Sequence, residues 1–456
     1  MKINPFIFRN YDIRGIYPDD MDEEGVFLIV SVFAEFFPDI REVVVARDSR
    51  TSSPSLAQAV ISALVGQGKD VIDIGLAPDP LFSFTTEHYD FNAGITVTAS
   101  HNSKEYNGLV ISVGCKAVCL EVLEEIKIRA LKNKERGIEV SPAAKRGSIK
   151  KFDPTYDYIS FVVPKTKLKR KLKIVFDSGN GAMGFLPEQV FKKLGCETIT
   201  IFGEPDGNFP NHPPDPCLEE SLEHIKREVL IQKADCGFAF DGDGDRVVLI
   251  DNNGRRVLED YCFLLLAKHI LKKEKGAIVH GMRISNVFLD QMSKMGVKTF
   301  FSVCHHNAVI QKIRQTNAVF GGEITSHYFF PKEYYLADDA LFSALKLAEI
   351  VSQTDNFAEF IDTFPKIYTS KEMFINVPDD RKFLMIEDLK KYLRKSKVDF
   401  IDIDGARINF ENGWALARAS NTSPYIKIRF EGKTKKDLEL IKTKSLKLFE
   451  EVGIKP

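Results

Sequence analysis

No two of the seven cysteines stand in C-x-x-C spacing, and none has a histidine spaced for zinc; they fall at 115, 119, 196, 217, 236, 262 and 304. An odd, scattered set excludes a disulfide framework and a zinc ribbon, and it fits a reducing, cytoplasmic location. Charge of one sign is lacking too: 63 Lys and Arg face 64 Asp and Glu, a net charge of −1. No long-range field therefore favours nucleic acid or a membrane surface, and the expected partners are small molecules bound locally. Apolar runs such as "FLLLA" fall far short of the roughly 20 residues of a membrane span, and no basic, apolar leader opens the chain. The one basic run, "KTKLKRKLK" (165–173), has no interleaved aromatics and leads into a strand, so it reads as a solvated segment, not a nucleic-acid patch. Tryptophan occurs once, at 414, against 35 phenylalanines.

What is present is core material and repetition. At roughly 100–200 residues per domain the length implies three or four domains, and 44% of residues are hydrophobic. Residues 42–75, 172–203 and 276–303 each run apolar strand, polar loop, amphipathic helix, glycine, apolar strand. The β-branched ends are nearly continuous in apolar character, while the middles repeat apolar residues at i, i+3, i+4, as in Leu186, Val190, Phe191 and Leu194. Each copy is followed by a further short strand that ends in a polar loop: "TASHN", "DGDGDR" and "GGEITSH". Ligands gather outside the carboxyl ends of strands in α/β sheets, where all three loops fall. The expected architecture is α/β: three tandem similar domains of mixed sheet between helices, at 1–147, 148–251 and 252–366, and a smaller C-terminal α+β domain at 367–456, around a central cleft. Composition shifts at 141–154, 251–256 and 362–372 mark the linkers.

The loops differ in chemistry. Asp241, Asp243 and Asp245 alternate with glycine, so one loop can aim three carboxylates at one point, tolerable where a hard cation such as Mg²⁺ neutralises them. A calcium EF-hand is excluded, because its sixth and twelfth positions hold Arg246 and Asn252 and a strand follows. Ser100 and His101 follow a strand, where the hydroxyl is either a nucleophile or a helix cap. "RASNTSP" gathers Arg418, Ser420, Asn421 and Thr422 as either a phosphate clamp or a polar turn before Pro424. Glu323, Thr325 and His327 suit a polyol such as a sugar, or simply face solvent. Gly179, Gly181 and Gly184 match the dinucleotide spacing G-x-G-x-x-G with Glu204 beyond. Asp177 before them would repel a pyrophosphate, and the other repeats lack the glycines, so tight turns and close packing are the simpler use.

In this order, "FRNYDIRGIY", "TASHNSKEYNG", "DSGNGAMG", "GNFPNHPPDP", "DGDGDR", "GGEITSH" and "RASNTSPYIKIRFEG" resemble the α-D-phosphohexomutase family, most closely its phosphomannomutase/phosphoglucomutase branch, over nearly the whole chain. The resemblance implies interconversion of hexose 1-phosphate and hexose 6-phosphate through a phosphoserine at Ser100. It implies one Mg²⁺ per chain on Ser100, Asp241, Asp243 and Asp245, with hexose 1,6-bisphosphate as activator. Arg14 and Arg246 would stabilise the phosphoryl group in transit, beside His101 and His306. Glu323, Thr325 and His327 would hold the sugar, and Arg418, Ser420, Asn421 and Thr422 its phosphate; the enzyme would be a monomer or homodimer. Three departures stand out: Val110 occupies the place of a family lysine, His305 replaces a glycine before His306, and Ser326 replaces a glycine in the sugar loop. His305 or Lys104 is the expected stand-in for the lysine. The competing readings are a non-catalytic sugar-phosphate-binding relative and a mutase for a hexosamine or pentose phosphate.

Overall fold

A computed structural model describes residues 1–9, 12–114, 118, 120–137, 141–378, 380–420 and 424–455. They form two compact units: Met1–Val257, Thr325–His327 and Glu333–Ala358 in the first, Leu258–Ile324, Tyr328–Lys332 and Glu359–Pro456 in the second.

The first unit holds two sheets. In the larger, Tyr106–Val113 runs antiparallel to Ala93–Val97, which is parallel to Glu42–Arg47, itself parallel to Asp70–Leu76. Ile13–Ile16 and Ile149–Lys151 extend its two edges. The smaller repeats the central pattern: Val247–Asp251 is antiparallel to Cys236–Phe240, which is parallel to Lys173–Asp177 and then Glu197–Ile201. In the second unit Tyr328–Phe329, Phe320–Gly322, Ile278–Gly281 and Thr299–Ser302 follow the same order and the same senses. The sequence repeats thus correspond to one topology used three times, and in each copy the polar loop joins the third strand to its antiparallel neighbour. Strands such as Val43–Ala46 are buried throughout, as expected where helices cover both faces of a parallel core.

The C-terminal segment is different, as its patterning indicates. Its strands Phe400–Ile401, Ala406–Phe410, Gly413–Ala419 and Tyr425–Gly432 pair antiparallel in chain order, and Met373–Asn376 and Tyr368–Thr369 both pair with Tyr425–Gly432. Helices Lys382–Lys395 and Lys435–Glu450 supply Leu389, Leu393, Ile441 and Phe449 to its core. Trp414 is fully buried with Met282, Cys304 and Leu416, and the Arg407 guanidinium lies 4.1 Å from its ring centroid.

Two long-range placements have no local signal. Ile149–Lys151, inside the segment read as a linker, pairs in parallel with Asp70–Leu76, although all three residues are exposed. Helix Ala340–Val351, buried on every face, packs on Cys236–Phe240 and Val247–Asp251. Its Lys346 ammonium donates to the Lys165 carbonyl at 2.6 Å, and its Glu349 accepts from the Lys167 N–H at 2.7 Å. Arg170 pairs with Asp235 at 2.7 Å. The basic run is therefore partly tied into the fold instead of freely solvated. Among the described residues no helix is long and apolar enough to cross a membrane.

Phe176 fills the centre of the smaller sheet's core, its ring centroid 5.0 Å from Phe191 and 6.2 Å from Phe238. Phe176→Ala is expected to cost about 3–5 kcal/mol through lost burial and the cavity left behind, read from the denaturant midpoint at unchanged slope.

Candidate active site

The chemistry of the first unit starts from a backbone constraint. Strand Ala93–Val97 ends in a turn, and no helix follows Ser100, so its side chain is not a helix cap. Ser100 holds a φ of +50° and is 4% exposed, a left-handed conformation that a non-glycine residue keeps only when its surroundings enforce it. The Ser100 N–H donates to Thr98 Oγ1 at 2.9 Å, and Thr98 Oγ1 donates to Asp243 at 2.9 Å. The Ser100 hydroxyl donates to Asp241 Oδ2 at 3.0 Å, and His101 Nδ1 lies 3.1 Å from Ser100 Oγ.

The aspartate loop is built by its own amides. Asp241 Oδ1 accepts from the N–H groups of Gly244 and Arg246, both at 3.1 Å. Donor oxygens of Asp241, Asp243 and Asp245 all lie within 4.8 Å of one another. Asp243 Oδ1 and Asp245 Oδ1 are buried without a hydrogen-bond partner among the described residues. Burial raises all three carboxyl pKa values. The charge of Asp245 adds to the effect at Asp241, the charge of Asp241 helps push Asp243 up to about 7, and Asp243 adds to it at Asp245. Three hard oxygen donors converging with unsatisfied atoms fit a divalent cation.

The glycine run settles into the structural role. A Cβ on Gly181 would stand 2.7 Å from the Gly242 carbonyl oxygen, and the Ala182 N–H donates to that oxygen at 2.9 Å. A Cβ on Gly242 would in turn stand 2.6 Å from the Ser100 carbonyl oxygen. Asp177 accepts from the Gly179 N–H at 2.9 Å and lies 3.2 Å from His212 Nε2, so it braces this wall. The run supports the aspartate loop and makes no dinucleotide cradle.

Charge is also organised around Arg246 and Arg14. Arg246 Nε donates to His327 Nε2 at 3.2 Å, and Asp338 stands 2.8 Å from His327 Nδ1. Burial opposes a charge on His327, but Asp245 and Asp338 outweigh it and lift its pKa to about 9. The Arg246 N–H facing Nε2 opposes that second proton, and the contact itself is made by the neutral ring. Arg14 donates to Asn102 at 2.7 Å and pairs with Asp12 at 2.8 Å. Val110 sits on Tyr106–Val113 opposite Thr96, and Lys104 is exposed. The structure thus brings Ser100, His101, Arg14, Asp241, Asp243, Asp245, Arg246, Thr325 and His327 into one unit. Ser326 carries a φ of +70°, a left-handed conformation that favours glycine, and a buried hydroxyl without a hydrogen-bond partner among the described residues.

The second unit holds the remaining candidates. Arg418 pairs with Asp404 at 2.7 Å and donates to the Cys304 carbonyl at 3.2 Å, while Ser420 is buried. Asn421 and Thr422 lie outside the described residues. His305 caps helix His306–Thr316, its Nδ1 accepting from the Asn307 N–H at 2.8 Å. Glu323 stands 4.0 Å from Arg283, whose guanidinium lies 3.3 Å from Glu372. Sequence reasoning missed Arg283, Asp338 and Thr98; Thr98, two residues before Ser100 at a strand end, is the one with a local signal.

Four descriptions match in order: phosphoglucomutase/phosphomannomutase α/β/α domains I, II and III at residues 5–136, 156–254 and 259–368, and the C-terminal domain at 372–447. The chain is 34% identical to a phosphomannomutase/phosphoglucomutase of Pseudomonas aeruginosa, covering 96% of this chain and 94% of that one. It is 32% identical to a phosphoglucomutase/phosphomannomutase of Thermococcus kodakarensis, covering 98% of each. A crystal structure of a phosphoglucomutase/phosphomannomutase family protein from Burkholderia thailandensis superposes with a TM-score of 0.91 at 30% identity, over 99% of this chain and 98% of that one.

A cation entering the aspartate loop competes with the proton that Asp243 retains below about pH 7. Mg²⁺ affinity, measured by isothermal titration, is therefore expected to weaken by at least about tenfold per pH unit from 7 down to 5.5, with proton release on binding. Asp243→Asn should lower the affinity and flatten that slope.

Proposed function

Because the chain belongs to the phosphoglucomutase/phosphomannomutase family, we propose that it interconverts hexose 1-phosphates and hexose 6-phosphates of mannose, glucose or both, as an intramolecular phosphotransferase. The observation that carries the reading is the Ser100 hydroxyl held 3.0 Å from Asp241, at the edge of three converging carboxylates, two of them buried and the third half-buried.

Ser100 carries a phosphoryl group on Oγ. A hydroxyl of the sugar monophosphate attacks the phosphorus, the bond to Oγ breaks, and a bisphosphorylated sugar forms. After the sugar turns round, Oγ attacks the phosphorus at its other end, the bond from that phosphorus to the sugar oxygen breaks, the oxygen takes up a proton, and the isomeric monophosphate leaves with the phosphoserine restored. His101 Nδ1 is placed to exchange a proton with Oγ. Arg246, oriented by His327, and Arg14 stabilise charge on the transferring group. Asp241, Asp243 and Asp245, with the phosphoserine, would hold one Mg²⁺, which when bound neutralises phosphoryl oxygen charge. Glu323, Thr325 and His327 bind sugar hydroxyls, and Arg418, Ser420, Asn421 and Thr422 bind the phosphate already on the sugar. Hexose 1,6-bisphosphate is the activator that first phosphorylates Ser100.

The proton transfer that Val110 cannot perform falls to Lys104 or to His305, the latter through Nε2 because Nδ1 caps a helix; His306 keeps the family position. Each of the four domains, 1–147, 148–251, 252–366 and 367–456, supplies one loop. The scattered cysteines fit a cytoplasmic location, and the balanced charge fits a monomer or homodimer whose partners are small-molecule sugar phosphates, not nucleic acid or membrane. Val110 also favours one alternative, a sugar-phosphate-binding protein without turnover.

Phosphorus NMR with Mg²⁺, a trace of hexose 1,6-bisphosphate and mannose 1-phosphate or glucose 1-phosphate is expected to show the 6-phosphate growing in, with loss of conversion in Ser100→Ala. Binding of both sugars without conversion would favour the non-catalytic alternative. His305→Gly is expected to lower turnover by at least about tenfold if the ring is the proton carrier; unchanged turnover assigns that role to Lys104.

A further inference from the structure

The motif "GNFPN" and the residues that follow strand Glu42–Arg47 take no part in the chemistry above, yet they meet at one buried guanidinium. Arg50 is 1% exposed. A buried guanidinium is costly unless every N–H finds an acceptor, and here all five do. Nε donates to Asp48 Oδ2 at 2.9 Å. One terminal nitrogen donates to the carbonyls of Ser103 and Tyr106 at 2.6 and 3.0 Å, the other to those of Ser100 and Asn102 at 2.8 and 2.7 Å. Asp48 is fixed in turn by the Arg50 N–H at 3.0 Å and the Ser53 hydroxyl at 2.5 Å.

Four carbonyls of one seven-residue turn thus converge on one side chain, and that turn presents Ser100 in its left-handed conformation. Over Arg50 lies the Phe209 ring, 5.3 Å from the guanidinium carbon. Phe209 itself has a φ of +47°. Gly207 brings its backbone so close that a Cβ would stand 2.3 Å from the Thr51 nitrogen and 2.6 Å from the Arg50 backbone. No larger residue fits there without displacing the Phe209 loop.

We propose that Arg50, covered by Phe209, is a positioning residue that sets Ser100 Oγ in line for phosphoryl transfer; this rests on the reading of Ser100 as the phosphoryl carrier. Arg50 meets the turn only through backbone carbonyls, its other partners being the Asp48 carboxylate and the Phe209 ring, so it acts through the serine and leaves sugar binding alone. A misplacement of about 1 Å at a reacting atom costs about 100-fold in rate.

The test compares Arg50→Met, Arg50→Lys and Phe209→Leu in the full-length protein loaded with Mg²⁺. Arg50→Met is expected to lower kcat per folded molecule by about 100-fold with KM within about threefold of the parent. Arg50→Lys should recover at least about tenfold, because an ammonium still donates to three carbonyls. Phe209→Leu should lower kcat by several-fold and speed hydrogen exchange of amides in residues 100–106, and it carries the test if Arg50→Met fails to fold. Arg50→Met with kcat within threefold, a rise in KM at constant kcat, or unchanged exchange and kcat in Phe209→Leu overturns the proposal. Ser100→Ala is run in parallel: phosphoryl retained by that variant, seen by intact mass after exposure to hexose 1,6-bisphosphate, defeats the phosphoserine reading, while the exchange measurement still reports the hold of Arg50 on the turn.

Discussion

Three carboxylates, two of them buried and one half-buried, are held within a few ångströms of one another, and the local structure around Ser100 follows from making that arrangement possible. A cluster of this kind repels itself and resists ionisation, so it exists only where backbone amides fix it and neighbouring groups limit its charge. Asp241 is held by the amides of Gly244 and Arg246, Asp243 by the Thr98 hydroxyl, and the Arg246 guanidinium stands 3.7 Å from Asp245. Ser100 enters this field as a hydroxyl donor to Asp241, which ties its position to the charge cluster through a direct hydrogen bond.

Such closeness requires backbone against backbone. Gly181 presses on Gly242, Gly242 on the Ser100 carbonyl, and a Cβ on Gly108 would stand 2.2 Å from the Ile13 carbonyl oxygen. Gly181 and Gly242 are therefore clearances, set by the distance at which two loops from different sheets meet, and Gly108 is one between neighbouring strands of a single sheet. This also accounts for a glycine spacing that imitates a nucleotide-binding loop: close helix–strand packing demands glycine in both cases, whatever lies in front of it.

The three repeated α/β units, the strand-end position of each polar loop and the convergent aspartates were legible in the residues, because periodicity and strand-to-loop order are local properties. Partners brought together by tertiary contact were not. Arg50 reads as an ordinary loop cation until four carbonyls of a distant turn surround it. Asp338 has no local signal: its neighbour Asp339 caps the following helix, its carboxylate accepting from the Phe342 N–H at 2.7 Å, while Asp338 reaches His327. Ile149–Lys151 carries no alternation, since all three side chains are exposed and only the backbone pairs. The cap reading of Ser100 failed because a hydroxyl after a strand looks the same whether a helix or a tight turn follows.

The solitary tryptophan has a consequence of another kind. Trp414 belongs to the second unit, is sealed from water and lies under the Arg407 guanidinium. It is the chain's only indole chromophore, so indole emission reports on that unit alone and is silent on melting of the region around Ser100. Fluorescence and circular dichroism traces coincide only if both units unfold together, which makes this one side chain an internal gauge of how far the two halves share their cooperativity.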